Sequence, residues 1–234
     1  MSKARTPLPL GEPVEDWSPR PWPPRSPMHG RYASLVPFDL EAHVPALFEA
    51  YAEDHSGRIW TYLPQGPFAD EAGFRAWAEA TCLSDDPLMY TIIDRSSVRP
   101  LGMAALMRIV PAHGVIEIGH INIAPAMQRT RASTEAIYLM LKRCFDELGY
   151  RRVEWKCHAE HAVSRRAAQR YGLTFEGVFR QHMVIKSRNR DTAWFAMLDD
   201  DWPRIRAAFD AWLDPGNFDN DGGQRRSLAA LISA

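Results

Sequence analysis

The sequence predicts an α/β (α+β) fold, a mixed central sheet of about seven strands flanked by helices. Three observations carry this. Short β-rich runs and helix-period segments interleave in the order β-α-α-β-β-β-α-β-α-β-β-α. One segment repeats its apolar residues at helical spacing through Ile137, Met140, Leu141, Cys144, Phe145 and Leu148. Gly149 and Gly172 stand where two such helices must stop.

Taken along the chain, residues 31–36 read as the first strand and 40–51 as a helix with Asp39 as its N-cap. A second helix, 70–81, carries Phe74, Trp77 and Ala78 on one face. Residues 88–94 and 101–110 read as strands joined by a turn at 95–100. The β-rich run 115–123 ends at Ala124-Pro125, and a long helix, about 133–148, follows with Lys142, Arg143, Asp146 and Glu147 on its outer side. Then come a strand at 153–157, a short helix at 164–171, strands at 178–186 and 192–198 around a polar loop at 187–191, and a helix at 203–213. Residues 1–30 are Pro-rich and read as an arm, since proline cannot enter a sheet interior. Trp17 and Trp22 argue that this arm packs somewhere. Residues 31–213 form the domain, and 214–234 read as a loosely ordered tail with a short apolar end.

A chain of 234 residues with 46% apolar and 24% charged residues builds one ordinary core. A net charge of -1 supplies no global field for nucleic acid. No apolar run reaches the roughly 20 residues a membrane span needs, and the N-terminus lacks a signal-peptide core, so the expectation is a cytoplasmic protein. Cys82, Cys144 and Cys157 are too few and too scattered for a disulfide framework. Cys157, His158 and His161 match no standard zinc spacing, so no metal is expected.

Chemistry concentrates in 119–136, where a strand runs out through a short polar loop into a helix. The amides that open a helix lack intrahelical partners and sit at the positive end of its dipole, which suits a pyrophosphate. An ordinary strand-to-helix connection has the same outline. The residues here are Gln128-Arg129-Thr130-Arg131-Ala132-Ser133, then Thr134-Glu135-Ala136. This stretch resembles the acetyl-CoA-binding motif of the GNAT acetyltransferases, nearest the branch of the ribosomal-protein N-terminal acetyltransferases (RimJ/RimL-like). Residues 148–156, 164–168, 171–177, the 188–192 hairpin and Trp202-Pro203 are similar too, so the resemblance spans about 30–213. It implies the GNAT acyl-CoA N-acyltransferase fold, acetyl-CoA as co-substrate, and an amine acceptor. It implies a coenzyme site at Ile121, Asn122, Ile123, Gln128, Arg129, Thr130, Arg131, Ala132, Ser133, Thr134, His161 and Ser164, with a backbone N–H near Ile123 as oxyanion donor.

The chain departs from that family at several positions. Arg131 stands where glycine is usual, a costly choice if the position needs a positive φ. His161 replaces an asparagine that contacts the pantetheine arm. Ala168 occupies the place of the tyrosine acid, and Tyr171, one turn on, reads as core. Ser164 matches a serine near the thiol, either a proton donor or the helix N-cap. For the base, Glu117 is the first choice, since a carboxylate within an apolar strand is unusual; a partnered structural glutamate is the ordinary reading. His120 is the alternative, against a satisfied core histidine. Strand alternation puts Glu117, Gly119, Ile121 and Ile123 on one face and His120 and Asn122 on the other. The basic run Arg151, Arg152, Lys156, Arg165, Arg166 and Arg170 reads as a solvated face that also borders the coenzyme. Trp60, Tyr62, Phe68 and Trp77 read as core or acceptor wall. The expectation is therefore an N-acetyltransferase acting by direct transfer onto a primary amine, of a protein N-terminus or a small molecule, with a homodimer allowed. The competing readings are a non-catalytic acyl-CoA-binding module and a dimerisation scaffold on the same fold.

Overall fold

The computed structural model describes residues 8–234; part of the Pro-rich arm lies outside them. Eight strands form one sheet in the order β1-β2-β3-β4-β5-β6-β8-β7. They are β1 (Met28–His29), β2 (Ala33–Pro37), β3 (Leu88–Asp94), β4 (Arg99–Val110), β5 (Val115–Ile123), β6 (Arg152–His158), β7 (Thr174–Ile185) and β8 (Arg188–Leu198). The strand absent from the sequence reading is β1, two residues that pair with β2 at the sheet edge. Every neighbouring pair is antiparallel except β5 and β6, which are parallel and therefore need a crossover connection.

That crossover is α3 (Arg131–Lys142), prolonged by a π turn over Arg143–Glu147. The π turn rotates Arg143, expected on the outer side, into a buried position where its guanidinium donates to the carbonyls of Ser26 and Pro27. The helix α1 (Leu40–Ala52) is capped by Asp39, which accepts from Ala42 N, and α2 (Glu71–Thr81) by Asp70. Trp60, Phe68, Phe74 and Trp77 form one aromatic cluster with Tyr51 in this region. The remaining helices are α4 (Ala162–Arg170), α5 (Trp202–Leu213) and α6 (Leu228–Ile232).

Several boundaries differ from the sequence reading by a few residues, and at two places the character of the segment changes. The polar segment 187–191 is not a loop. Lys186 and Ser187, with φ of 50° and 58°, make a two-residue turn, and Arg188 already pairs with Ile185. Both central residues with positive φ give the twist that closes a tight hairpin. Beyond residue 213, Asn217 is buried and bonded to Trp212 and Arg226, and Leu228 of α6 is buried.

The strand β5 positions the site through two irregularities. Its pairing with β4 shifts register between Met103 and Ala105, and His120 there takes φ of 48°. An extra residue inserted at such a bulge reverses the alternation beyond it. Its parallel ladder with β6 ends at Glu117↔Glu154, so residues 118–123 pair only with β4.

Candidate active site

Where β5 and β6 part, a cleft of about 250 Å³ opens. Glu117, Ile118, Gly119, His120 and Ile121 of β5 line it, with Trp155 to His158 of β6, His161 and Ser164 of α4, and Arg190 and Thr192 of β8. The expected alternation across β5 is corrected here. The bulge brings Glu117 and His120 to the same cleft instead of opposite faces.

Glu117 is buried, with its Oε2 2.9 Å from Lys156 Nζ and 3.2 Å from Arg108 Nε. Burial pushes its carboxyl above the ordinary range, opposed by Lys156 and Arg108. Lys156 also meets Glu154 Oε2 at 2.7 Å and lies 3.8 Å over the Trp194 ring. Its side chain is therefore enclosed, and the reading of Lys156 as part of a solvated face does not hold. Arg108 is held at a second bulge, φ 47°, where Asp86 accepts from its N–H and from that of Ile109. His120 Nδ1 is buried with no partner. Burial, and then Arg108, pulls its pKa below 6.5, so the ring is neutral at pH 7.

On the far wall, the His161 ring stacks on Tyr62 at 4.4 Å, and burial with His158 and Arg190 nearby pulls His161 down to about 4. Ser164 is the third residue of α4, not its N-cap. Its Oγ accepts from Trp155 Nε1 at 2.9 Å, and its own O–H can donate, with the Cys157 thiol within reach. Ala168 and Tyr171 are both buried, and Tyr171 packs between Trp155 and Phe209.

The segment leading to α3 is a separate wall. Pro125–Met127 form a 3₁₀ turn, and Gln128 Nε2 donates to Ile123 O. Arg129 takes the positive φ, 62°, whereas Arg131 is the first helical residue with an ordinary φ. The cost expected at Arg131 is therefore absent. Its guanidinium stacks on Phe218 and Tyr32, away from the loop. Thr130 is the N-cap and accepts from Ser133 N, while Ser133 and Thr134 hydroxyls return to Thr130 O. The N–H groups of Arg131 and Ala132 have no acceptor among the described residues. These donors at the helix start fit a diphosphate.

The sequence-selected residues thus divide. Glu117, His120, Ile121, His161 and Ser164 meet in the cleft. Gln128, Arg129, Thr130, Arg131, Ala132, Ser133 and Thr134 form the cradle beside it. Asn122 is buried, its Nδ2 unpartnered, and its carbonyl accepts from Tyr51. Of the residues read as core or acceptor wall, Tyr62 lines the cleft, whereas Arg108, His158, His182 and Arg190 were missed as cleft residues. Period-two reading of β6, which puts Glu154, Lys156 and His158 on one face, was the signal available for part of them. Among the described residues no group of three or more His, Cys, Asp or Glu is gathered for a metal, and no helix is long and apolar enough to cross a membrane.

Comparison with known proteins follows the same lines. Residues 34–174 match the acetyltransferase (GNAT) domain family. A GCN5-related N-acetyltransferase from Brucella melitensis is 47% identical over 94% of this chain and 100% of its own, with a TM-score of 0.93. A protein from Chromobacterium violaceum assigned to the GNAT acetyltransferases is 42% identical over 86% and 100%, with a TM-score of 0.78. RimJ of Mycobacterium smegmatis, in complex with CoA-disulfide, is 17% identical over 82% and 95% and shares the fold, with a TM-score of 0.65. No curated protein matches the chain.

Proposed function

The chain belongs to the GNAT family and is an N-acetyltransferase, and from this we propose that it moves the acetyl group of acetyl-CoA directly onto a primary amine in the cleft between β5 and β6. The observation that carries this reading is the end of the β5–β6 ladder at Glu117↔Glu154, with Glu117, His120 and Ser164 gathered around the opening. A protein N-terminus or a small-molecule amine is the acceptor; the similarity of motifs to the RimJ/RimL-like branch supports the first.

The amides of Arg131 and Ala132 hold the diphosphate, and the unpaired edge of β5 runs beside the pantetheine arm. The amine nitrogen attacks the thioester carbonyl, whose oxygen takes a hydrogen bond from a β5 backbone N–H near Ile123. His120 receives the amine proton, directly or through one water. We assign the base to His120 over Glu117 because the Glu117 carboxylate already answers two cations, whereas His120 Nδ1 is neutral and free. The C–S bond breaks as the C–N bond completes, Ser164 Oγ passes a proton to the departing sulfur, and the proton held by His120 returns to Ser164 through water, so both groups regain their starting state.

Acetyl-CoA turnover with a panel of amines, read by thiol release, tests the activity. His120→Gln is expected to lower kcat about 10²-fold with coenzyme affinity intact, and to erase the acidic limb of the pH–rate profile. That limb lies below pH 6.5, since rate is lost as a base of lowered pKa is protonated. Retention of the limb in His120→Gln and its loss in Glu117→Gln would return the base to Glu117.

A further inference from the structure

The cleft is richer in positive than in negative charge. Arg108, Lys156 and Arg190 line it, and among the described residues Glu117 is the one carboxylate that does. Arg108 and Lys156 are both spent on Glu117, and Lys156 meets Glu154 as well. Arg190 is different. Its Nε is buried, and among the described residues its side chain has neither a hydrogen-bond acceptor nor an ion-pair partner. A half-buried guanidinium loses part of its hydration, and here Glu117 acts on it only across the cleft with no hydrogen bond or ion pair to compensate.

The position is built, not incidental. Arg190 pairs with Met183, at the end of a register shift between Phe179 and Met183 where Gln181 takes φ of 51°. Asp191 secures that bulge by accepting from Gln181 N, and Thr192 Oγ1 meets His182 Nδ1. The bulge keeps both His182 and Met183 beside Arg190 in the cleft. None of the cradle residues 124–134 lines this cleft, so Arg190 stands apart from the group that would hold the coenzyme diphosphate.

We propose that Arg190 is a specificity-determining residue that receives a carboxylate or phosphate carried by the acceptor, which makes the acceptor class an anionic primary amine. This rests on the amine-acetylation reading above. The planar guanidinium pairs with either oxyanion in a two-pronged geometry. The same charges disfavour an ammonium relative to the free amine, so they help supply the unprotonated nucleophile. Polycationic acceptors such as polyamines and amino sugars meet repulsion in the same cleft.

The test uses the full chain, acetyl-CoA and three matched pairs of acceptors. These are alanine with alaninamide, O-phosphoethanolamine with ethanolamine, and the peptide amides Ala-Glu-Ala and Ala-Gln-Ala. The expected result is a kcat/KM at least about tenfold higher for the anionic member of one pair, the scale of one charge-assisted contact. The pair that shows it tells carboxylate from phosphate and free from peptide acceptor. In Arg190→Gln that preference is expected to vanish through KM with kcat held within about threefold, and Arg190→Lys to retain part of it. Wild-type preference falling with added salt supports the same conclusion without any variant. Turnover with equal kcat/KM in all pairs, or a higher value for spermidine, overturns the inference and leaves amine acetylation standing. An unchanged preference in Arg190→Gln also overturns it. No turnover with any amine, despite calorimetric binding of CoA, removes both.

Discussion

Glu135 touches no part of the cleft, yet three backbone N–H groups end on its carboxylate: Arg31 at 2.9 Å, Tyr32 at 2.5 Å and Ala33 at 2.7 Å. It lies on α3 and pins the turn between β1 and β2. Reading the residue as part of a coenzyme motif gives no hint of this, because the partners are about a hundred positions away in the chain. Glu135→Ala leaves three donors without an acceptor and is expected to cost about 3 kcal/mol, measured by urea unfolding, with coenzyme affinity retained in the folded fraction. Gly30→Ala should destabilise for the reciprocal reason, since a Cβ there would overlap the Glu135 carboxyl. If Glu135→Ala unfolds at the wild-type urea concentration, the carboxylate is not what holds this corner.

At the scale of elements, the order of strands and helices was legible because apolar period and stop residues act locally. Gly149, with φ of 68°, ends the long helix where the sequence placed it. The bulge at His120 was not legible. Nothing in Ile118-Gly119-His120-Ile121 states that the strand gains a residue against β4, and that single insertion decides that Glu117 and His120 share a cleft. The Lys186–Ser187 turn was missed for a similar reason, since neither residue is a glycine or asparagine. The segment Gln128 to Ala132 does lead into a helix, but its positive φ belongs to Arg129, not Arg131. Restoring the family's glycine should therefore not help. Arg131→Gly removes a good helix former and the stack on Phe218, and about 1 kcal/mol of stability should be lost. Calorimetry should find no gain in CoA affinity; a tenfold gain would mean that the arginine obstructs the cradle.

Across the whole molecule, the described part of the N-terminal arm hydrogen-bonds groups that would otherwise depend on water. Trp17 Nε1 donates to Ala112 O, and Arg20 N to Pro111 O. Tyr150 and Tyr90 donate to the carbonyls of Pro21 and Pro24. Arg143, turned inward by the π segment, is answered by Ser26 and Pro27. A proline-rich chain suits this work because its carbonyls are free to accept while it offers few N–H donors of its own. These contacts link the β3 strand, the turn before β5 and the end of α3. Removing residues 1–27 strips both tyrosines of their acceptors and leaves Arg143 only its pair with Glu147, at about 1 kcal/mol for each hydrogen bond lost. A loss of about 4 kcal/mol is expected, which for a chain of this length lowers Tm by roughly 10 °C. The truncated chain should still bind CoA below its lowered Tm, because among the described residues no hydrogen bond joins the arm to the cradle at α3. Thermal unfolding with and without CoA separates the two effects: an unchanged Tm would show that the arm adds nothing to stability, and lost binding at 10 °C in a folded protein would show that it shapes the cradle.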